Sequence, residues 1–139
     1  MLTAGVLAIL SGLTAQALKV LLELLVHRSW QPRLFVRNGG MPSSHTASVV
    51  TLAILVGQEA GVRSPVFSLV VVFGLYVIFE ATGLRQEVGE QARLLNDLVE
   101  TMRRTHHLAA QDLREFVGHT WAEVAVGAVC GTLFAVPFL

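Results

Sequence analysis

A run of apolar residues from Leu2 to Val26, broken by only Lys19 and Glu23 as charges, is the feature that most restricts this chain. As an α-helix it is long enough to cross about 30 Å of hydrocarbon. Pro65–Thr82 and Thr120–Leu139 have the same character, and Thr46–Gly57 is a shorter version that either extends back to Ser44 and on to Ala60 or stays partly buried in protein. Inside lipid, each backbone N–H and C=O must be satisfied within its own segment, so such runs become helices. The predicted fold is all-α. It is an integral membrane helix bundle of about four membrane segments plus one or two amphipathic helices, forming a single domain over 1–139. Composition agrees: 14% of residues are charged, against about 25% in soluble domains. The formal net charge of +0 gives no case for a nucleic-acid partner. The single cysteine, Cys130, excludes an intramolecular disulfide and a cysteine-rich metal site. No basic residue precedes Lys19, so Leu2–Val26 reads as a retained span rather than a cleaved signal.

The first run carries a polar stripe. Gln16, Lys19, Glu23 and His27 recur at spacings of three and four, which places them on one helix face. A lysine within a span costs about 2.5–3.5 kcal/mol on insertion scales, so Lys19 should face protein. It either pairs with Glu23 along the helix or points at an anion. Most of the charge lies between Gly83 and Gly118, where the composition shift predicts that a separate segment begins. There, Val88, Ala92, Leu95, Val99 and Met102 form an apolar stripe, the pattern of a helix on the membrane surface or packed over a site. Arg104–His107 reads as a break, and Leu108–Val117 as a second short helix. Ala122, Ala125, Gly127, Ala128 and Gly131 give the last segment a small-residue face that permits close helix contact.

Two polar motifs interrupt this pattern. Residues Gly39 to His45 read Gly-Gly-Met-Pro-Ser-Ser-His. The glycines allow positive φ and close approach of a ligand, and the serine N–H groups can form an anion-binding nest ahead of a helix N-terminus. By itself the heptapeptide is an anion site or a plain turn with a surface histidine. The second motif is Gly118-His119-Thr120-Trp121-Ala122-Glu123-Val124. His119 and Glu123 are four apart and would share a face on a helix. A carboxylate there accepts from one imidazole nitrogen and makes the other more nucleophilic.

Together the motifs resemble the small, divergent membrane branch of the type-2 phosphatidic acid phosphatases, relatives of bacterial acid phosphatases and vanadium haloperoxidases. The resemblance runs from about Lys19 to about Gly131. It implies a metal-independent, cofactor-free lipid phosphatase working through a phosphohistidine. His119 would be the nucleophile, Glu123 its orienter and His45 the general acid/base. Lys19, Gly40, Ser43, Ser44 and Arg85 would hold the phosphate. A lipid phosphate monoester such as phosphatidylglycerophosphate or phosphatidate is the implied substrate, with a prenyl pyrophosphate as the alternative. The branch carries Asp-Ala-x-Gly-Val-Arg-Arg after its third crossing. Here the stretch is Glu80-Ala81-Thr82-Gly83-Leu84-Arg85-Gln86, and Glu123 stands where the wider superfamily has Asp. These departures keep a non-catalytic scaffold on the same fold open, and the polar stripe keeps a transport role open. His45, His119 and Glu123 are also ordinary zinc ligands, but no third histidine in a motif joins them. The core is smaller than the superfamily's usual six helices, which with the small-residue face suggests a homo-oligomer.

Two crossings separate His45 from His119, so both belong on one side of the membrane. Arg28, Arg33, Arg37, Arg85, Arg93, Arg103, Arg104 and Arg114 flank that side, against Arg63 alone on the other. Positive-inside counting therefore predicts a cytoplasmic site, with both termini outside.

Overall fold

Serine and threonine punctuate the bundle. Thr3, Ser43, Ser64 and Thr120 each stand immediately before a helix and accept a hydrogen bond from the backbone N–H three residues on, the preferred N-cap arrangement. The structure is a computed structural model that describes residues 3–28, 30, 35, 39–106 and 118–139; the side chains at 27, 84–86 and 104–106 lie outside that description. Its elements are α1 (Ala4–His27), α2 (Ser44–Ala60), α3 (Pro65–Phe79), a π-turn (Glu80–Leu84), α4 (Arg85–His106), α5 (Trp121–Ala135) and a closing 3₁₀ turn (Val136–Phe138). Among the described residues there is no strand.

The central element is α2, which packs against α1, α3 and α5. It is richer in polar residues than its neighbours, yet Thr46, Ala47, Thr51, Leu55 and Gly57 are buried. By contrast α3 buries only Gly74 and exposes Leu69, Phe73, Tyr76 and Phe79. That inversion suits a bilayer, where lipid is as apolar as leucine and helices associate through close packing and polar contacts. The Thr51 hydroxyl lies 2.8 Å from Ser11 Oγ and 2.9 Å from the Gly131 carbonyl oxygen, joining α1, α2 and α5 at mid-height.

Among the described residues three helical runs are long and apolar enough to cross a membrane: α1, the run that begins at Pro65, and α5 with its 3₁₀ turn. The 17 residues of α2 span about 25 Å. Its first turn lies at the Lys19 and Glu123 end. At its other end Leu55 packs with Leu7 and Ala135, and Gln58 donates to the Leu139 carbonyl. The expected four segments thus resolve into three helices long and apolar enough to cross and one shorter helix packed against all three.

The predicted boundary at Gly83 does not exist. α3 runs through the π-turn directly into α4. No proline interrupts 80–84, and a π-turn absorbs an extra residue without ending a helix. α4 ends at His106, within the predicted break, while the segment 108–117 lies outside the described residues.

Candidate functional site

One end of the bundle gathers Lys19 of α1, the loop before α2, the π-turn after α3 and the entry to α5. The loop is shaped by Gly39 and Gly40, both at φ +86°, a region that side-chain-bearing residues rarely adopt. The Met41–Pro42 bond is cis. This path turns the Gly39 carbonyl to Lys19, whose Nζ donates to it at 2.8 Å, and the Gly40 N–H to Glu123 Oε2 at 3.1 Å. A Cβ at Gly40 would stand 3.4 Å from Lys19 Cδ, so the lysine stem lies against the loop. Lys19 is only 5% exposed. It reaches across to the loop and so faces protein, as its cost in lipid requires.

His119 and Glu123 meet, but not on a helix face. His119 lies just outside α5, ahead of its N-cap Thr120, and Glu123 is the third helical residue. Thr120 Oγ1 accepts from the Glu123 N–H at 3.3 Å, and Glu123 Oε2 accepts from the Thr120 N–H at 3.4 Å. This is a capping box. The same carboxylate oxygen lies 2.7 Å from His119 Nδ1. Glu123 therefore ties together the helix start, the glycine loop and the imidazole. The backbone N–H of His119 donates to the Ala81 carbonyl in the π-turn at 3.0 Å, and the Ser43 N–H donates to the Glu123 carbonyl at 3.2 Å.

A carboxylate can only accept, so the short contact assigns a proton to Nδ1, and in the neutral form of the ring the lone pair is then on Nε2. His119 Nε2 is buried and has no hydrogen-bond partner among the described residues. The His45 ring stands with its centroid 5.7 Å away, inclined at 70°. The N-termini of α2 and α5 both open here, where their partial positive ends favour an anion.

Of the residues singled out in the sequence, Lys19, Gly40, Ser43, Ser44, His45, His119 and Glu123 come to this end of the bundle. Ser43 is fully buried, and its hydroxyl oxygen caps α2, with the Thr46 N–H at 3.4 Å and the Thr46 hydroxyl at 3.1 Å. Ser44 and His45 are half-buried at the first turn of α2. Arg85 begins α4 immediately after the π-turn, and its side chain lies outside the described set, as do Arg33, Arg37 and Arg114. Arg28 is exposed beyond α1. Sequence reasoning missed the Ala81 carbonyl and the capping box. Thr120-x-x-Glu123 is the signature that would have revealed the second.

A family model described as the divergent PAP2 family matches residues 3–134. The uncharacterized membrane protein YuiD of Bacillus subtilis (strain 168) is 35% identical over 130 residues, covering 86% of this chain and 82% of that protein. No solved structure matches.

Proposed function

The chain belongs to the divergent PAP2 family, and from that premise we propose that it is a membrane phosphatase acting on a lipid phosphate monoester through a phosphohistidine. The observation that carries this reading is His119: Nδ1 held by Glu123 at 2.7 Å, and Nε2 buried and unpartnered beside the His45 ring. Nε2 attacks phosphorus as the bond to the lipid oxygen breaks, and His45 protonates that oxygen. His45 then takes a proton from water as the water attacks the phosphohistidine, the P–N bond breaks, and inorganic phosphate leaves. Lys19, the Gly40 loop, Ser44 and Arg85 stabilise the charge on the equatorial oxygens, since phosphoryl transfer depends chiefly on positioning and electrostatics. Ser43 supports this set from the α2 cap. Phosphatidylglycerophosphate and phosphatidate are the leading substrates.

The intermediate supplies the test. His45→Ala is expected to slow lipid phosphate turnover by about 10²–10⁴-fold. With an aryl phosphate, whose leaving group needs no protonation, the same variant is expected to accumulate an acid-labile, base-stable phosphate on His119. If neither wild type nor His45→Ala ever carries that label, the mechanism is wrong.

The site is proposed to face the cytoplasm, supported by the eight-to-one arginine distribution. In intact cells a membrane-impermeant maleimide is expected to label Gly61→Cys but not Gly118→Cys. The reverse pattern would invert the orientation.

A further inference from the structure

Gln16 shares a face of α1 with Gly12 and Lys19, four residues after the first and three before the second. Gly12 packs against Ser44 and Ser48 of α2, and Lys19 covers Gly40. Helical spacing places Gln16 between these two contacts, on the α1 face turned toward the start of α2 and the loop before it. Its Oε1 is buried and accepts no hydrogen bond from the described residues. Buried polar atoms in native structures find a partner, in protein, water or ligand. The groups assigned to hold phosphate, Lys19 and backbone N–H, are donors. The Gln16 oxygen is an acceptor, and a phosphate monoester dianion offers it only more acceptors.

Resting on the phosphatase reading, we propose that Gln16 is a specificity residue that accepts a hydrogen bond from a hydroxyl the substrate carries next to the transferred phosphate. The favoured substrate class is then a hydroxylated phosphate monoester of the glycerol phosphate type. A diacylated glycerol phosphate, whose neighbouring oxygens are esterified, leaves the Gln16 oxygen unsatisfied. That hydroxyl occurs on lipid headgroups and on soluble polyol phosphates alike.

Binding by calorimetry to the full chain in the His119→Ala background, where turnover is blocked, tests the assignment. The soluble probes are glycerol 3-phosphate and propyl phosphate; the lipid probes are lysophosphatidate and its 2-deoxy analogue. The hydroxylated member of at least one pair is expected to bind about 10-fold more tightly, as one net hydrogen bond allows. The ratio is expected to fall to about one in Gln16→Leu and in Gln16→Met with the unfolding temperature unchanged. The pair that shows the preference identifies the source as lipid or soluble. Equal or absent binding within both pairs, or a preference that survives both substitutions, overturns the assignment. Hydroxyl-dependent binding without phosphate release by the wild type would instead refute the phosphatase reading and leave Gln16 as a recognition residue.

Discussion

Replacing His119 by alanine is expected to lower phosphate release from a lipid phosphate monoester by at least about 10³-fold and to abolish the covalent label, because it removes the attacking nitrogen. The same substitution should leave the fold largely intact. It removes the Nδ1 contact with Glu123, a hydrogen bond to a charged group contributing about 1.5–3 kcal/mol. It also removes a buried nitrogen with no partner, which relieves a cost of about 1–3 kcal/mol. The two terms have similar size and opposite sign. Glu123 keeps the Gly40 and Thr120 N–H groups as donors, so its carboxylate is not stranded. The remaining cost is the void left by the ring, which His119→Gln fills in part. Phosphate release and thermal unfolding, measured on both variants in the same detergent, separate the contributions. Release equal to wild type in either variant would remove His119 from the chemistry.

The fold was legible where one physical requirement dominated. A span the length of α1 has no alternative in lipid, and Pro65 and Pro137 fall near helix or turn starts where a missing N–H costs nothing. That His45 and His119 lie at one end of the bundle was legible through topology: a pair of traverses returns the chain to the end it left. The two readings of the short second segment, extension or partial burial in protein, both hold: α2 runs Ser44–Ala60 and buries Thr46 and Thr51 against its neighbours. Local pattern misled in two places. Gly83 looked like a boundary because charge begins there, yet charge alone does not end a helix. Ser43 looked like a nest ligand, and its oxygen caps α2; a serine before a helix serves either purpose with the same sequence signature. The Ala81 carbonyl has no side-chain signal at all, since its contact with the His119 N–H depends on two elements meeting in space.

Substitutions at Gly131 are expected to damage the site from a distance. A Cβ there would lie 2.5 Å from the Ala47 carbonyl oxygen and 3.0 Å from its Cα. Both are backbone atoms of the central helix and cannot rotate away, so α5 must withdraw from α2. Gly131→Ala should cost about 1–3 kcal/mol through overpacking, offset by at most about 1 kcal/mol of improved helix propensity. The withdrawal also strains the contact of the Thr51 hydroxyl with the Gly131 carbonyl. Gly131→Leu adds more bulk at the same point and is expected to undock α5 altogether. Glu123 is about two turns earlier on α5, so the same withdrawal pulls its carboxylate from the Gly40 N–H and its carbonyl from the Ser43 N–H. Activity should therefore fall in step with stability although residue 131 touches none of the reacting groups. Gly5 is the internal control: it is also helical, but nothing lies within 4 Å of the Cβ it would gain. Gly5→Ala is expected to be neutral or to stabilise by up to about 1 kcal/mol. Denaturant unfolding and phosphate release measured on the three variants decide the matter. A Gly131→Leu protein as stable and active as Gly5→Ala would mean that α5 does not rest on α2 in this way.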